Sequence, residues 1–436
     1  MIIECSIQNF RSFKEKATLS MLAESGKSKS DNVFDLQINE SSDVRLLKSA
    51  VMYGANGSGK SNFIRGISVL KYLISESHNF KIGGRIKCYE PFELDVDTKN
   101  SPSIMEIQFV LDSIKYSYHI SFNEFEIIEE KLIFYPSSYP ALLFERLPSN
   151  TDDDFTSVEL GTKLTDKKIP QDVFKNQLYL SRFGSLTPHQ QLTKVFKYLD
   201  SLEVWNTLDK LDVHNLSIKI SKKLSDKNQK AFSDRLNKLV KVADIKIEDI
   251  FTKELKDDDF NIPNEIPSSV KEKFIQDNKF RTFARHKVFK EHKFVGYEEF
   301  DFATKESQGT KILFALGGIM LESLEKGGII FFDELDNSLH SKLIKFLVRL
   351  FNNTTTNPKG AQLIFSTHEV TLLDKQIFRK DQIWFTQKSK FGCSELYCAK
   401  EIESLRDDTN FELWYRTGKF GGNPKIKEVE FIFENA

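Results

Sequence analysis

The spacing of hydrophobic residues changes several times along the chain, and each change marks an element. Ile2, Ile3, Ile7, Phe10 and Phe13 are apolar among polar neighbours, which predicts strand, turn and strand with the bend at Asn9-Phe10-Arg11-Ser12. Residues 24–43 are mostly polar and predict a surface loop. Leu46 to Tyr53 reads as one buried strand, followed by a glycine-rich turn and a helical pattern from Lys60 to Ser75. Between Tyr89 and Phe134, short runs of Phe, Ile and Tyr alternate with polar residues. They are clearest at Ile104 to Leu111 and Tyr116 to Phe122, and they predict an antiparallel sheet. Residues 147–170 are polar and predict loop.

From about Thr187 to Arg285 the spacing turns helical, as at Leu192, Val195, Phe196 and Leu199 and again at Phe232, Leu236, Leu239 and Val240. This predicts a mostly helical insert with a loop around residues 256–263. Sustained heptads are missing, which argues against a long coiled-coil arm. From Val295 onward helices and short apolar strands alternate again. The expected class is α/β, with an N-terminal lobe over residues 1–186 that includes the antiparallel β subdomain, an insert over 187–290 and a C-terminal lobe over 291–436. No internal repeat or low-complexity tail interrupts it.

Composition narrows the setting. The 436 residues are 40% hydrophobic and 29% charged, which excludes a disordered or fibrous chain. Sixty-two basic and 63 acidic residues leave a net charge of -1, which excludes a uniformly basic nucleic-acid coat but leaves room for a local patch. The longest apolar run, Ile312 to Leu321, is too short to span a bilayer, and the N-terminus lacks the pattern of a signal peptide. Four cysteines make no disulfide framework, and the Cys393/Cys398 pair reads as structural. The expectation is a soluble cytoplasmic protein with no membrane contact.

The strongest chemical signal is Gly54-Ala55-Asn56-Gly57-Ser58-Gly59-Lys60-Ser61, a full G-x-x-x-x-G-K-[ST] match between a predicted strand and a predicted helix. Glycines let backbone N–H groups turn inward around phosphates, and the helix N-terminus adds partial positive charge. Lys60 can reach the β- and γ-phosphates of ATP, and the Ser61 hydroxyl can bind Mg²⁺. The candidate cradle is Gly54, Asn56, Gly57, Ser58, Gly59, Lys60, Ser61 and Asn62. A second signal, Gly328-Ile329-Ile330-Phe331-Phe332-Asp333-Glu334, is a strand buried on both faces that ends in adjacent carboxylates. Asp333 would hold Mg²⁺ and Glu334 would orient or deprotonate the attacking water. Lys60 and Asp333 lie 273 positions apart, too far for a compact small GTPase, and no Asn-Lys-x-Asp motif reads guanine, so ATP is favoured. Two weaker signals flank the acidic strand. Ser307-Gln308-Gly309 could bind a phosphate or simply cap a helix, and His368, at the end of another apolar strand, could bond a γ-phosphate or be structural.

The order phosphate loop, Ser-x-Gly turn, acidic strand and Ser366-Thr367-His368 resembles the ABC-type ATPase head of chromosome-maintenance, recombination-repair and RecF-like proteins. The nearest resemblance is to OLD-like AAA/ABC ATPases of bacterial anti-phage operons, including the ATPase half of AbiL-type abortive-infection systems. It rests on Asn9 to Phe13, Pro91 to Leu94, Glu306 to Lys311, Asp333 to His340, Arg379 to Phe385 and Tyr415 to Gly422. The resemblance implies a P-loop ATPase head with an antiparallel β subdomain, paired head to tail as a homodimer or larger homo-oligomer that sandwiches two ATPs. Lys60 of one subunit would face Ser307 and Gly309 of the other, His368 would be the switch histidine, and Arg11 would join the nucleotide site. Two departures stand out: the signature is Glu-Ser-Gln-Gly-Thr, and His340 occupies the place of the final aspartate of the D-loop in transporters. Gln108 is the nearest candidate for a Q-loop glutamine, or else an ordinary strand residue.

OLD nucleases carry a toprim domain after the ATPase. Here 68 residues follow His368, and acidic runs such as Arg406-Asp407-Asp408 lack its metal pattern, so nuclease or toxin-like activity is expected in a separate effector protein. The sequence therefore predicts an ATP-driven defence switch. The other reading is a DNA-binding repair ATPase, in which the interleaved basic and aromatic residues of Lys279 to Lys287 would contact nucleic acid; otherwise that run is a solvated helix face.

Overall fold

The computed structural model describes residues 1–38, 42–148, 154–243, 246–256, 260, 262–263, 265–402 and 409–421. The chain opens with β1 (Ile2–Gln8), β2 (Ala17–Ser20), β3 (Val33–Ile38), β4 (Ser42–Leu47), β5 (Ser49–Tyr53) and α1 (Lys60–Glu76). Next come β6 (Ser103–Leu111), β7 (Ile114–Phe122), β8 (Ile127–Tyr135), β9 (Ala141–Arg146), β10 (Phe155–Leu160) and β11 (Asp172–Phe174). Eight of these strands form one antiparallel sheet in the order β11-β10-β9-β8-β7-β6-β1-β2, as the alternation between Tyr89 and Phe134 predicts.

The middle of the chain contains α2 (Gln190–Asp200), β12 (Glu203–Asn206), α3 (Lys210–Ser225), α4 (Lys230–Ala243), β13 (Ile247–Glu254) and α5 (Ser268–Asn278). It continues through β14 (Phe280–Lys290), β15 (Lys293–Asp301), α6 (Phe302–Lys305) and α7 (Gln308–Lys326). The last part adds β16 (Ile329–Asp333), α8 (Ser341–Asn352), β17 (Gln362–Ser366), β18 (Ile383–Lys388), β19 (Ser394–Cys398) and α9 (Phe411–Arg416). Together with β5 and β12 these build the central sheet, in the order β12-β16-β17-β5-β18-β19, parallel except for the β19 edge.

Residues of β5, β16 and β17 are buried on both faces, and alternate side chains enter different cores. Ala50, Met52, Phe331 and Ile364 join α1 and the antiparallel sheet, whereas Val51, Tyr53, Phe332 and Phe365 join α7 and α8. Each buried Val, Ile, Phe or Met side chain among these contributes roughly 1.5–3 kcal/mol, which fixes the register of the strands that end at the site. The strand ending at Ser366 lies between the phosphate-loop strand and the acidic strand. The carboxyl ends of parallel strands are where open α/β sheets bind ligands. Among the described residues, no helix is long and apolar enough to cross a membrane.

Several expectations are corrected. The polar stretch expected as a surface loop contains β3, which pairs with β4 because Val33 and Ile38 are buried. The single strand expected over Leu46 to Tyr53 is two strands that divide at Lys48, whose buried Nζ donates to the Asp31 carbonyl at 2.7 Å. The expected loop over 147–170 carries β10, where Thr156 and Val158 point inward between exposed Phe155, Ser157 and Glu159; its outward polar face hid the strand. The apolar face of α2 is buried in the core shared with α1 and the antiparallel sheet. Within the stretch expected to be mostly helical, β13 and β14 instead form a three-stranded antiparallel sheet with β15, which follows it. The run Lys279 to Lys287 accordingly lies largely on a strand, not a helix face. Asp257 to Asp259, Arg406 to Asp408 and Gly422 lie outside the described residues.

Candidate active site

The phosphate loop leaves β5 at Tyr53 and enters α1 at Lys60. Two glycines are required by what lies behind them. A Cβ on Gly54 would sit 2.3 Å from Thr386 Oγ1, and one on Gly59 would sit 2.6 Å from Ser394 Oγ. Their φ angles of +158° and +121° exclude ordinary side chains as well. Thr386 and Ser394, on the β18–β19 hairpin, therefore act as a backstop for the loop, and Ser58 Oγ bonds Thr386 Oγ1 at 2.5 Å. Lys60 is buried, and its Nζ donates to the carbonyls of Gly54 at 2.8 Å and Ala55 at 3.4 Å. Burial lowers its pKa from the ordinary 10.5, opposed by the charges of Glu334, Asp333 and Asp336. A bound phosphate would stabilise the ammonium form that burial disfavours.

Across the loop, β16 delivers Asp333 and Glu334. One hydroxyl organises both: Ser366 Oγ donates to Asp333 Oδ1 at 2.6 Å and accepts from the Glu334 N–H at 2.8 Å. Glu334 has φ +55°, a left-handed conformation that is unusual for a non-glycine residue and typical of strained functional turns. His368 Nε2 lies 3.4 Å from Glu334 Oε1, and its backbone N–H donates to the Asp336 carboxylate at 3.2 and 3.3 Å. The arrangement encloses a pocket of about 150 Å³ lined by Asn56 to Asn62 together with Glu334 and His368. Residues separated by more than 300 positions in sequence thus meet at one point.

Arg11 stands at the edge of this site, with its own φ at +51°. Its Nη1 donates to Asn62 Oδ1 at 3.0 Å and its Nε pairs with Glu90 at 3.0 Å. Ser307 and Gly309 are not brought to Lys60 within the chain. Ser307 caps α7 by accepting from the Thr310 N–H at 3.2 Å, and a Cβ on Gly309 would lie 3.2 Å from the Ser338 carbonyl oxygen. His340 caps α8 by accepting from the Lys342 N–H. Gln108 lies in the sheet, on β6 between Glu4 and Ser117, and does not line the phosphate pocket. The oxygen donors Ser61 and Asp333 suit Mg²⁺, which is commonly held by one or two protein oxygens plus phosphates and water. Among the described residues, no cluster of three or more His, Cys, Asp or Glu side chains forms another metal site.

Sequence reasoning did not single out the backstop residues Thr386 and Ser394 or the organising role of Ser366. Short hydroxyl side chains on strands carry no signal until the topology places them behind the loop. The basic run is also changed by its surroundings. Lys279 pairs with Glu254, Arg281 with Asp301, Arg285 with Glu299, His286 with Glu306 and Lys287 with Glu248. Each of these basic side chains has a carboxylate partner within the chain, with Glu299 shared between Arg285 and Lys253.

The phosphate loop, the acidic strand and the intervening strand define a P-loop ATPase of the AAA/ABC type. A family model matches residues 49–374, about three quarters of the chain, and the chain belongs to that family, described as "AAA domain, putative AbiEii toxin, Type IV TA system". Among solved structures, it is similar to the SMC head domain from Thermotoga maritima at 13% identity and a TM-score of 0.39, covering 91% of this chain and 98% of that one. It is likewise similar to the ATP-bound recombination mediator RecF of the RecFOR pathway at 12% identity and a TM-score of 0.34, covering 91% and 97%. No curated protein sequence matches the chain.

Proposed function

We propose that this protein is an Mg²⁺-dependent ATPase that acts as a switch in a bacterial anti-phage defence system of the abortive-infection kind, controlling a separate nuclease or toxin-like effector through ATP-dependent assembly. The observation that carries the catalytic half is the single pocket in which the phosphate loop, Glu334 and His368 converge. The family description, with its reference to a toxin system, supports the defence setting.

In this reading the loop amides and Lys60 hold the β- and γ-phosphates. Mg²⁺, bound between Ser61 and Asp333, would neutralise charge on the phosphate oxygens. Glu334 accepts a proton from the attacking water, and its strained turn fixes the carboxylate toward the pocket. His368 contacts the γ-phosphate and passes its presence through Asp336 to the loop after β16. Ser307 and Gly309, remote from Lys60 in the same chain, complete the site of a second subunit. Loss of the γ-phosphate would remove that bridge and release the assembly. The cytoplasm is the compartment where such a switch would work. In the alternative DNA-repair reading, the basic side chains that would contact DNA are already engaged by carboxylates of their own chain, so the switch is preferred.

Phosphate release from ATP and Mg²⁺ tests the catalytic half. The protein should turn over ATP, Glu334→Gln should bind ATP but lose about 10²-fold or more in rate, and Lys60→Ala should lose binding. Equal turnover in wild-type and Glu334→Gln protein would remove the assignment.

A further inference from the structure

Beside the loop that follows β16 lies a much larger cleft, of about 1090 Å³, which shares no lining residue with the phosphate pocket. Its floor is apolar: Phe302 and Phe314 are buried with ring centroids 4.8 Å apart, and Val213 and Phe280 extend the wall. Around this floor stand Lys210, Lys311, Arg281 and His214, and no carboxylate occurs among the described lining residues. Arg281 is paired with Asp301, but Lys210 and Lys311 make no ion pair among the described residues. One helix, α3, also opens onto the cleft at Lys210, so its N-terminal partial charge adds to the positive potential. An apolar floor with convergent cations in a volume of this order is the composition of a ligand site.

The cleft also reaches the catalytic turn. Thr207, which follows β12 and is buried, lines it. The Thr207 N–H donates to the Asp333 carbonyl at 3.2 Å, and its hydroxyl donates to the carbonyls of Asp333, at 3.1 Å, and Glu334. Asn337, another lining residue, donates through Nδ2 to the Thr207 carbonyl at 2.8 Å. Glu334 is therefore held in its left-handed conformation from the cleft side by Thr207 and from the other by Ser366. Anything that shifts Thr207 or Asn337 shifts the turn that aims the carboxylate.

We propose that this cleft binds a small anion with an apolar body, and that its occupancy is transmitted to Glu334 through Thr207. The transmission rests on the hydrolytic reading of Glu334, whereas the binding does not. Lys210 and Lys311 take the anionic group, and Phe302 and Phe314 take the apolar body. Thr207 is a positioning residue: it touches neither ATP nor the attacking water.

The probe is 8-anilinonaphthalene-1-sulfonate, titrated into the full chain and read by its blue-shifted fluorescence. Lys210→Glu and Lys311→Glu should each weaken binding by about fivefold or more, the value of one close charge contact near a surface. Lys210→Glu adds a carboxylate to a helix start that already carries Asp209 and Asp212, so thermal unfolding of each variant accompanies the titration. Lys238→Glu, in a separate apolar groove between α4, α7 and α8, should leave binding unchanged. Competition with dodecanoate and with 1-naphthoate then separates a flexible acyl body from a planar one. Unchanged binding in both cleft variants, loss in Lys238→Glu instead, or displacement by neither competitor would overturn the site. For the transmission, saturating probe should change ATP turnover about twofold or more in wild-type protein, and Thr207→Val should abolish that response while still binding the probe. A response that survives in Thr207→Val overturns the transmission alone. Absence of any turnover, with probe binding intact, overturns the ATPase reading and leaves the site standing.

Discussion

Replacing Ser366 by alanine removes one hydroxyl and disturbs both carboxylates to which the proposed mechanism assigns the chemistry. The serine is fully buried, donates to Asp333 Oδ1 at 2.6 Å and accepts from the Glu334 N–H at 2.8 Å. Alanine leaves a buried carboxylate oxygen without its donor and a strained turn without its anchor. A hydrogen bond to a charged group contributes about 1.5–3 kcal/mol, and the neutral one about 1 kcal/mol, so the loss should be about 2.5–4 kcal/mol. Urea unfolding should show it as a lower midpoint at unchanged slope. A double-mutant cycle with Asp333→Asn should return a coupling of about 1–2 kcal/mol, because the two residues share the bond. ATP turnover should fall by about 10-fold or more as the Glu334 backbone loses its alignment, while ATP affinity, set by the loop across the pocket, changes little. A stability loss under about 1 kcal/mol with unchanged turnover would refute the claim that this hydroxyl organises the acidic pair.

Three further outcomes follow from the geometry. Burial lowers the Lys60 pKa in the free protein and a bound phosphate raises it, so ATP affinity is full below the free-state value and is lost as pH rises through it, earlier than for an ordinary lysine. Calorimetry in buffers of different ionisation enthalpy should find proton uptake on binding at alkaline pH, absent in Lys60→Met. Gly59→Ala meets Ser394 at 2.6 Å whereas Gly57→Ala meets open space, so thermal unfolding should show a larger loss at Gly59; both keep a positive-φ penalty of about 1 kcal/mol. Glu130 is fully buried, lies 3.6 Å from Arg146 and accepts from Tyr118 and from the N–H groups of Tyr179 and Leu180. Removing it as Glu130→Ala should cost about 3–5 kcal/mol by urea unfolding, since Arg146 is left buried without its counter-charge.

Much of this architecture was legible because its signals are local. A glycine-lysine-serine turn between an apolar strand and a helix specifies its own geometry, and four large apolar residues before Asp333 specify a central strand. The alternation of β6 and β7 is equally explicit. What escaped reading depends on partners distant in the chain. β3 and β10 look like loop because only one narrow face is buried, and β14 looks helical because its basic and aromatic residues carry no period that distinguishes the two. The ion pairs that neutralise it come from β13, β15 and the segment before α7. Thr207 lies 126 positions from Asp333, and only the parallel pairing of β12 with β16 places it on the Asp333–Glu334 turn. Ser307 and Gly309 stand at the start of α7, where the sequence leaves both a helix cap and a phosphate contact open. Their place at the start of α7 keeps them out of the phosphate pocket of their own chain, and the proposed role toward nucleotide is therefore one across a subunit interface.

That second subunit is the central claim, and the solution mass of Glu334→Gln protein with and without ATP and Mg²⁺, by light scattering on a sizing column, tests it most directly. The account predicts an ATP-dependent doubling of mass that Ser307→Arg abolishes. A monomer under every condition would contradict it.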